Sequence, residues 1–179
     1  MANKYQARVR CKPMDLGGKV FPLSGGLPLG KRSVQRQAYR LAELARWRDF
    51  LNLPLHIHPK FFPVAGDDAA RLIIAARQRY GEDMALSLTG KVLKAVWADE
   101  INIADREQLV ALALQSGAMD LKPEDCDLAA AQTEYDANTQ AAIELQVFGA
   151  PWYVIEGESY WGQDRLDFVE RKLVSLQPK

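Results

Sequence analysis

Phe148-Gly-Ala-Pro-Trp-Tyr-Val-Ile-Glu-Gly-Glu-Ser-Tyr-Trp-Gly-Gln-Asp-Arg-Leu166 is the stretch on which the reading of the fold turns. Pro151 has no N–H and biases Ala150 towards extended backbone, so the chain turns sharply there, in a geometry that suits a cis bond. Two β-rich runs follow, Trp152 to Glu156 and Gly157 to Trp161, and predict an antiparallel hairpin with Gly157 in the turn. From Asp164 to Leu176, residues Leu166, Phe168, Val169, Leu173 and Leu176 share one face, which predicts a closing amphipathic helix with Asp164 as N-cap. Ala150 could offer its own N–H and C=O to a peptide-like ligand lying alongside, as in strand addition. A plain helix-to-strand turn explains the same residues more simply. The start of the last helix favours a carboxylate, and Asp164 could accept from an ammonium group. Taken alone, Asp164 reads as a cap and Arg165 as a surface charge.

Upstream of this stretch the pattern is helical. Apolar residues Leu41, Leu44, Ala45, Trp47 and Leu51 recur at helical spacing from Ser33 to Leu51, with Arg36, Arg40, Arg46 and Arg48 among them. Pro54 ends that helix and opens an extended, proline-punctuated loop from Leu55 to Pro63. Further helices are predicted over Asp67 to Tyr80, Asp83 to Trp97, Asp105 to Gln115 and Glu124 to Val147. At the other end, Ala7 to Met14 alternates apolar and polar residues up to a proline, the pattern of a half-buried strand. Between the two lies Asp15 to Gly30, whose five glycines and two prolines predict a loop of unusual backbone angles, placed to line a site.

Composition narrows the class of function. A chain of 179 residues, 48% hydrophobic, can bury a full core. Its 23 basic and 23 acidic residues are interspersed, so nucleic acid and anionic membrane are not expected partners. No apolar run approaches the ~20 residues of a membrane span, and a cytoplasmic location is expected. Cys11 and Cys126 stand far apart in no metal or dithiol motif. His56 and His58 share a face but lack the carboxylate or cysteine partners of a metal site, so no metal is expected. Ser24 and Ser33 have no histidine to form a triad. Phe61 and Phe62 read as an aromatic pocket wall or as core packing. Lys31 and Arg32 read as carboxylate binders or as a solvated helix start. Asp99 with Glu100, and Glu134 with Asp136, read as solvated helix faces.

Taken in order, several motifs resemble one family. Lys12-Pro-Met-Asp-Leu-Gly-Gly18, Leu53-Pro-Leu55 with Pro59-Lys-Phe-Phe-Pro63, Ala95-Val-Trp97 with Asn102-Ile-Ala-Asp105, and Val147-Phe-Gly-Ala-Pro151 with Trp161-Gly-Gln-Asp-Arg-Leu166 are similar to those of the 2-hydroxychromene-2-carboxylate isomerases, relatives of the kappa-class glutathione transferases. The resemblance implies an α/β thioredoxin-like fold interrupted by a large all-helical insertion domain. Residues 1–30 would be an N-terminal thioredoxin-like part with the glycine-rich loop, 31–133 the helical insertion, and 134–179 the C-terminal thioredoxin-like part.

It also implies glutathione as cofactor and a homodimer acting on a small aromatic carboxylate. Such enzymes interconvert the chromene and trans-benzylidenepyruvate forms by reversible thiol addition. Carried over by motif, Ala150 and Pro151 would hold the cysteine backbone of glutathione, and Gln163, Asp164 and Arg165 its γ-glutamyl end. Lys31, Phe61 and Phe62 are the candidates for the substrate pocket. The family begins with a strand, a sulfur-activating serine motif and a helix, roughly 20–25 residues at ordinary lengths. The motifs here begin after them, so the first strand and helix are expected to be missing from this chain, and no catalytic residue is assigned. A kappa-type transferase, a thioredoxin-fold oxidoreductase or an inactive paralogue are the alternatives.

Overall fold

The computed structural model describes residues 1–177; Pro178 and Lys179, the end of the expected C-terminal part, lie outside them. Its core is helical. α3 (Asp67–Tyr80), α4 (Glu82–Trp97), α5 (Arg106–Gln115) and α6 (Ala129–Glu144) pack around Leu72, Ile74, Leu88 and Leu109, all fully buried. The local signals are plain. Asp67 and Asp68 occupy the first turn of α3 and Arg77 and Arg79 its last, each complementing the helix dipole. Gly81, at φ 92°, turns α3 directly into α4. Asp105 caps α5 by accepting the Glu107 N–H at 3.0 Å.

α3 is tied to its neighbours by ions as well as by apolar contact. The Arg71 guanidinium reaches Asp68, the Gln132 side chain and the Cys126 carbonyl, while Arg106 bridges Asp68 and Asp127. Hydrogen bonding from Arg106, aided by its charge and by Arg71, holds the Asp68 carboxyl below the usual range against the opposing effect of burial. A carboxyl depressed in the folded state contributes stability above its unfolded pKa of about 3.9, and that contribution is lost as pH falls through the folded value. Melting temperature measured from pH 6 to pH 3 is therefore expected to fall less steeply for Asp68→Asn than for the parent. Parallel curves would remove Asp68 from the acid response.

The expected helix from Glu124 to Val147 is two pieces. A 3-10 turn over Pro123–Asp127 precedes α6, because Asp125 folds back to accept the Lys122 N–H at 2.7 Å and Arg71 takes the Cys126 carbonyl. α6 then runs across the expected boundary between residues 133 and 134. Glu134 is not on a solvated face: it pairs with Arg77 and accepts from Gln78, joining α6 to α3. Asp136 is exposed and meets Lys19 at 2.7 Å. Asp99 pairs with Lys94, and Glu100 accepts the Lys60 N–H at 2.9 Å, anchoring the proline-rich loop.

The glycine-rich segment is more regular than its composition predicts. A π-type turn (Leu16–Val20) leads into the short helix α1 (Phe21–Ser24), and a 3-10 turn covers Leu29–Lys31. Of its glycines only Gly25 has a positive φ, 72°. Gly18 serves close approach instead: a Cβ there would sit 3.1 Å from the Asp15 carboxyl carbon, whose oxygen accepts the Gly18 N–H at 2.7 Å. The Asp15 N–H in turn donates to buried Thr139 at 3.0 Å, docking the segment on α6. Val20, Ala142 and Val147 form a small second core there, with Met14, Leu16 and Trp152 against it.

β1 (Trp152–Ile155) and β2 (Glu158–Trp161) form the antiparallel hairpin, Tyr153 opposite Tyr160 and Ile155 opposite Glu158. Glu156 and Gly157, at φ 49° and 78°, make its two-residue turn. α7 (Leu166–Ser175) closes the chain. The expected strand over Ala7 to Met14 does not form: these residues carry no ladder among the described residues. Alternation marks a half-buried extended chain, but a strand also needs a neighbouring backbone. Here a groove of about 610 Å³ separates Val9 and Arg10 from β1.

α2 (Val34–Leu51) begins as expected, with the Ser33 hydroxyl accepting the Arg36 N–H, and ends at Asn52 in the left-handed region. It buries no residue fully, and Tyr39 and Phe50 stay exposed. Among the described residues, no helix is long and apolar enough to cross a membrane.

Candidate functional site

The site is built where α6 ends and the hairpin begins. Gln146, at φ 56°, stops the helix, and Val147 turns inward to the second core. Phe148 then stands outward, edge-on to Trp152 and to Trp161, each centroid 4.9 Å away. Gly149 is buried beneath this aromatic group; a Cβ there would come within 3.0 Å of the Trp161 ring. Only glycine lets the ring lie so close to the backbone.

The Ala150–Pro151 bond is cis, as is Phe62–Pro63. The Pro151 carbonyl accepts the Gly162 N–H at 3.0 Å, extending the hairpin by one rung. Ala150 is exposed, and neither its N–H nor its C=O has a partner among the described residues. Hydrogen bonding alternates along an antiparallel ladder, so with Ile155 and Glu158 closing the two-residue turn, Trp152 and Val154 also turn their backbone groups away from β2. Ala150 therefore stands at the head of an open strand edge.

Across from it lies a short 3-10 turn, Gln163–Arg165, which precedes α7. Asp164 does not cap α7, as its position predicts; it sits inside this turn and accepts from Arg165 at 2.8 Å. The reason is Gly162, whose φ of 103° and ψ of 150° set the chain entering the turn at Gln163, ahead of where a cap at Asp164 would start it. The N–H groups of Gln163 and Asp164 have no acceptor among the described residues. A free main-chain edge, two free N–H groups at a helix start and an exposed Asp–Arg pair thus face solvent together. That set can hold a peptide backbone and a zwitterionic end.

A cavity of about 460 Å³ adjoins Phe148, lined also by Val20, Leu23 and Ser24, so the glycine-rich segment lines this end of the site. Neither cysteine is in it. Burial pushes the Cys126 thiol up to about 11, which leaves it protonated and inert at neutral pH.

The candidate substrate residues scatter. Phe62 packs on Trp97 with ring centroids 4.6 Å apart and lines a cavity of about 260 Å³ with Leu29, Leu41, Ile57 and His58. Phe61 is half-buried under the Lys60 ammonium, 5.1 Å from the ring, and lines no part of that cavity. Lys31 is exposed in its 3-10 turn and outside it too. Arg40 was not singled out from the sequence, yet it lies over both Phe62 and Trp97, at 5.2 and 5.6 Å. Its spacing of four from Arg36, with no acidic residue spaced to pair with Arg36, was the available signal.

A family model described as the DSBA-like thioredoxin domain matches residues 1–174. Among curated proteins, the 2-hydroxychromene-2-carboxylate isomerase of Pseudomonas putida is 30% identical over 178 residues, covering 98% of this chain and 84% of that protein. The isomerase of the same name from Sphingobium xenophagum is 27% identical over 175 residues, covering 97% and 87%. A solved 2-hydroxychromene-2-carboxylate isomerase structure superposes with a TM-score of 0.76 at 24% identity, covering 98% of this chain and 84% of the other, and shows the shared fold. A mostly helical molecule with a small hairpin is thus a thioredoxin-like fold carrying a helical insertion, and the chain belongs to the 2-hydroxychromene-2-carboxylate isomerase family of DSBA-like thioredoxin domains.

Proposed function

We propose that the chain is a glutathione-dependent 2-hydroxychromene-2-carboxylate isomerase. The observation that carries the reading is the free backbone of exposed Ala150, set before Pro151 and beside the open turn at Gln163 to Arg165. These residues fit a γ-glutamyl tripeptide. Ala150 would pair with its central peptide unit, the Gln163 and Asp164 N–H groups would hold its α-carboxylate, and the Asp164 carboxylate would face its ammonium. Bound there, glutathione would supply the thiol whose reversible addition lets the chromene ring open and the former double bond rotate, its expulsion leaving the open-chain trans-benzylidenepyruvate and regenerating glutathione.

The chain's own part is to hold that tripeptide and to bind an aromatic carboxylate against the Phe62 side of the helical block, with Lys31 and Phe61 at its margin. A cytoplasmic setting, where glutathione keeps thiols reduced, suits such an enzyme. We also read it as a homodimer, to which the exposed Phe50 of α2 would contribute. Sedimentation equilibrium tests that part directly.

The main test follows the chromene and pyruvate forms by absorbance with and without added glutathione, alongside a glutathione titration by calorimetry. Interconversion that requires catalytic glutathione and consumes none is the expected result. Accumulation of a stable conjugate would make the protein a transferase, and the absence of glutathione binding would remove the cofactor from the reading.

A further inference from the structure

Arg32, just ahead of α2, and Arg36 and Arg40 on its first turns recur four residues apart. Arg46 and Arg48 of the same helix pair with Glu43 and Asp49, whereas these three have no carboxylate partner among the described residues. Like charges at this spacing repel, and Glu43, three residues on from Arg40, is taken by Arg46. Arg32 is held in place, its Nε donating to the Leu27 carbonyl at 2.8 Å. Arg40 lies partly buried over the Phe62 and Trp97 rings, so its guanidinium is both short of water and close to Arg32, and both effects lower its pKa.

Two cavities meet at Arg40. One, of about 320 Å³, is lined by Arg32, Gln35, Arg36 and Tyr39; the other is the apolar one of about 260 Å³ beside Leu29, Leu41, Ile57 and Phe62. Neither shares a lining residue with the cavity at Phe148. A cationic recess opening on an apolar one is complementary to a molecule with an anionic head and a flat hydrophobic body.

We propose that the Arg40 junction binds the substrate, a small aromatic carboxylate, with the carboxylate held by Arg40 and Arg36 and the ring lying beside Phe62. The inference rests on the reading above for the class of substrate, and it assigns that substrate's anchor. The forked donors of arginine match a carboxylate, and partial exclusion of water strengthens the pairing. Filling the apolar recess adds ring burial, which a bare inorganic anion could not supply.

The test is calorimetric titration of the full chain at low ionic strength, without glutathione, using 2-naphthoate, its neutral amide 2-naphthamide, and inorganic phosphate. 2-Naphthoate is expected to bind one to one, with the amide and phosphate each roughly tenfold weaker or worse. Arg40→Met keeps an unbranched stem over the two rings and is expected to weaken 2-naphthoate roughly tenfold. Arg36→Gln, on an exposed face where folding is not at risk, is expected to weaken it several-fold and decides the matter if the first variant does not fold. Unchanged affinity in these variants, phosphate bound as tightly as 2-naphthoate, or no binding at all would each overturn the assignment. Glutathione titrated separately into the same variants keeps the two readings apart: its binding is expected to match the parent, so loss of 2-naphthoate binding alone leaves the cofactor reading standing.

Discussion

Gly162→Ala is expected to lower the melting temperature by several degrees and to weaken glutathione binding at the same time. At φ 103° and ψ 150° this residue occupies backbone territory open essentially to glycine alone, so any side chain strains it by ~1–3 kcal/mol. For a domain of this size that corresponds to a fall of roughly 2–10 °C. A methyl group there would also overlap the Asp164 carboxylate, which the native chain lays over the bare Cα. Relief requires Asp164 to swing away or the 3-10 turn at Gln163–Arg165 to unwind, and either removes the arrangement proposed for the γ-glutamyl end. Gly157→Ala is the control, because it too has a positive φ, 78°, but has nothing within reach of its added Cβ. It is expected to lower stability without changing glutathione affinity. Calorimetric melting and titration of both variants check the pair. Equal glutathione affinity in Gly162→Ala and the parent would detach Asp164 from the cofactor.

The helices from Val34 to Gln115 were legible because each carries its own punctuation: Ser33 and Asp105 as caps, Asn52, Gly81 and Gly117 as left-handed stops. What the periodicity missed depends on partners distant in sequence. The break at Leu128 follows from Arg71, 55 residues away, taking the Cys126 carbonyl. The alternation over Ala7 to Met14 was real, but pairing is a property of two segments and the pattern describes one. Asp164 has the right identity for a cap; the conformation of Gly162 moves it into the turn instead.

The site shows the same division. The order of motifs put forward Ala150, Pro151 and the Gln163 to Arg165 turn as candidates, while the partner-free state of the Ala150 backbone needed three dimensions. Arg40 escaped because its meaning lies in Phe62 and Trp97, which stand on other segments.

Main-chain recognition at Ala150 makes a distinctive prediction, since truncating a side chain cannot remove it. Ala150→Pro deletes the N–H and fixes φ at about −65° at the residue before Pro151. That N–H has no acceptor among the described residues, so its removal leaves no orphaned group, and the melting temperature measured alongside separates backbone strain at the new proline from loss of the ligand contact. If the N–H pairs with the peptide of glutathione, the variant instead leaves a ligand carbonyl facing a proline ring. Loss of that bond, with the unpaired group left against the protein, is expected to cost about 2 kcal/mol, or roughly a thirtyfold rise in Kd. Ala150→Ser, which keeps the N–H, is expected to bind as the parent does, because Ala150 is exposed and its side chain plays no part in the pairing. A proline variant that folds and binds glutathione with parental affinity would show that the open edge at Ala150 is not where the tripeptide lies. A variant that folds, loses glutathione and still binds 2-naphthoate would place the two ligands on separate groups of the same molecule, the tripeptide on the hairpin edge and the carboxylate on α2.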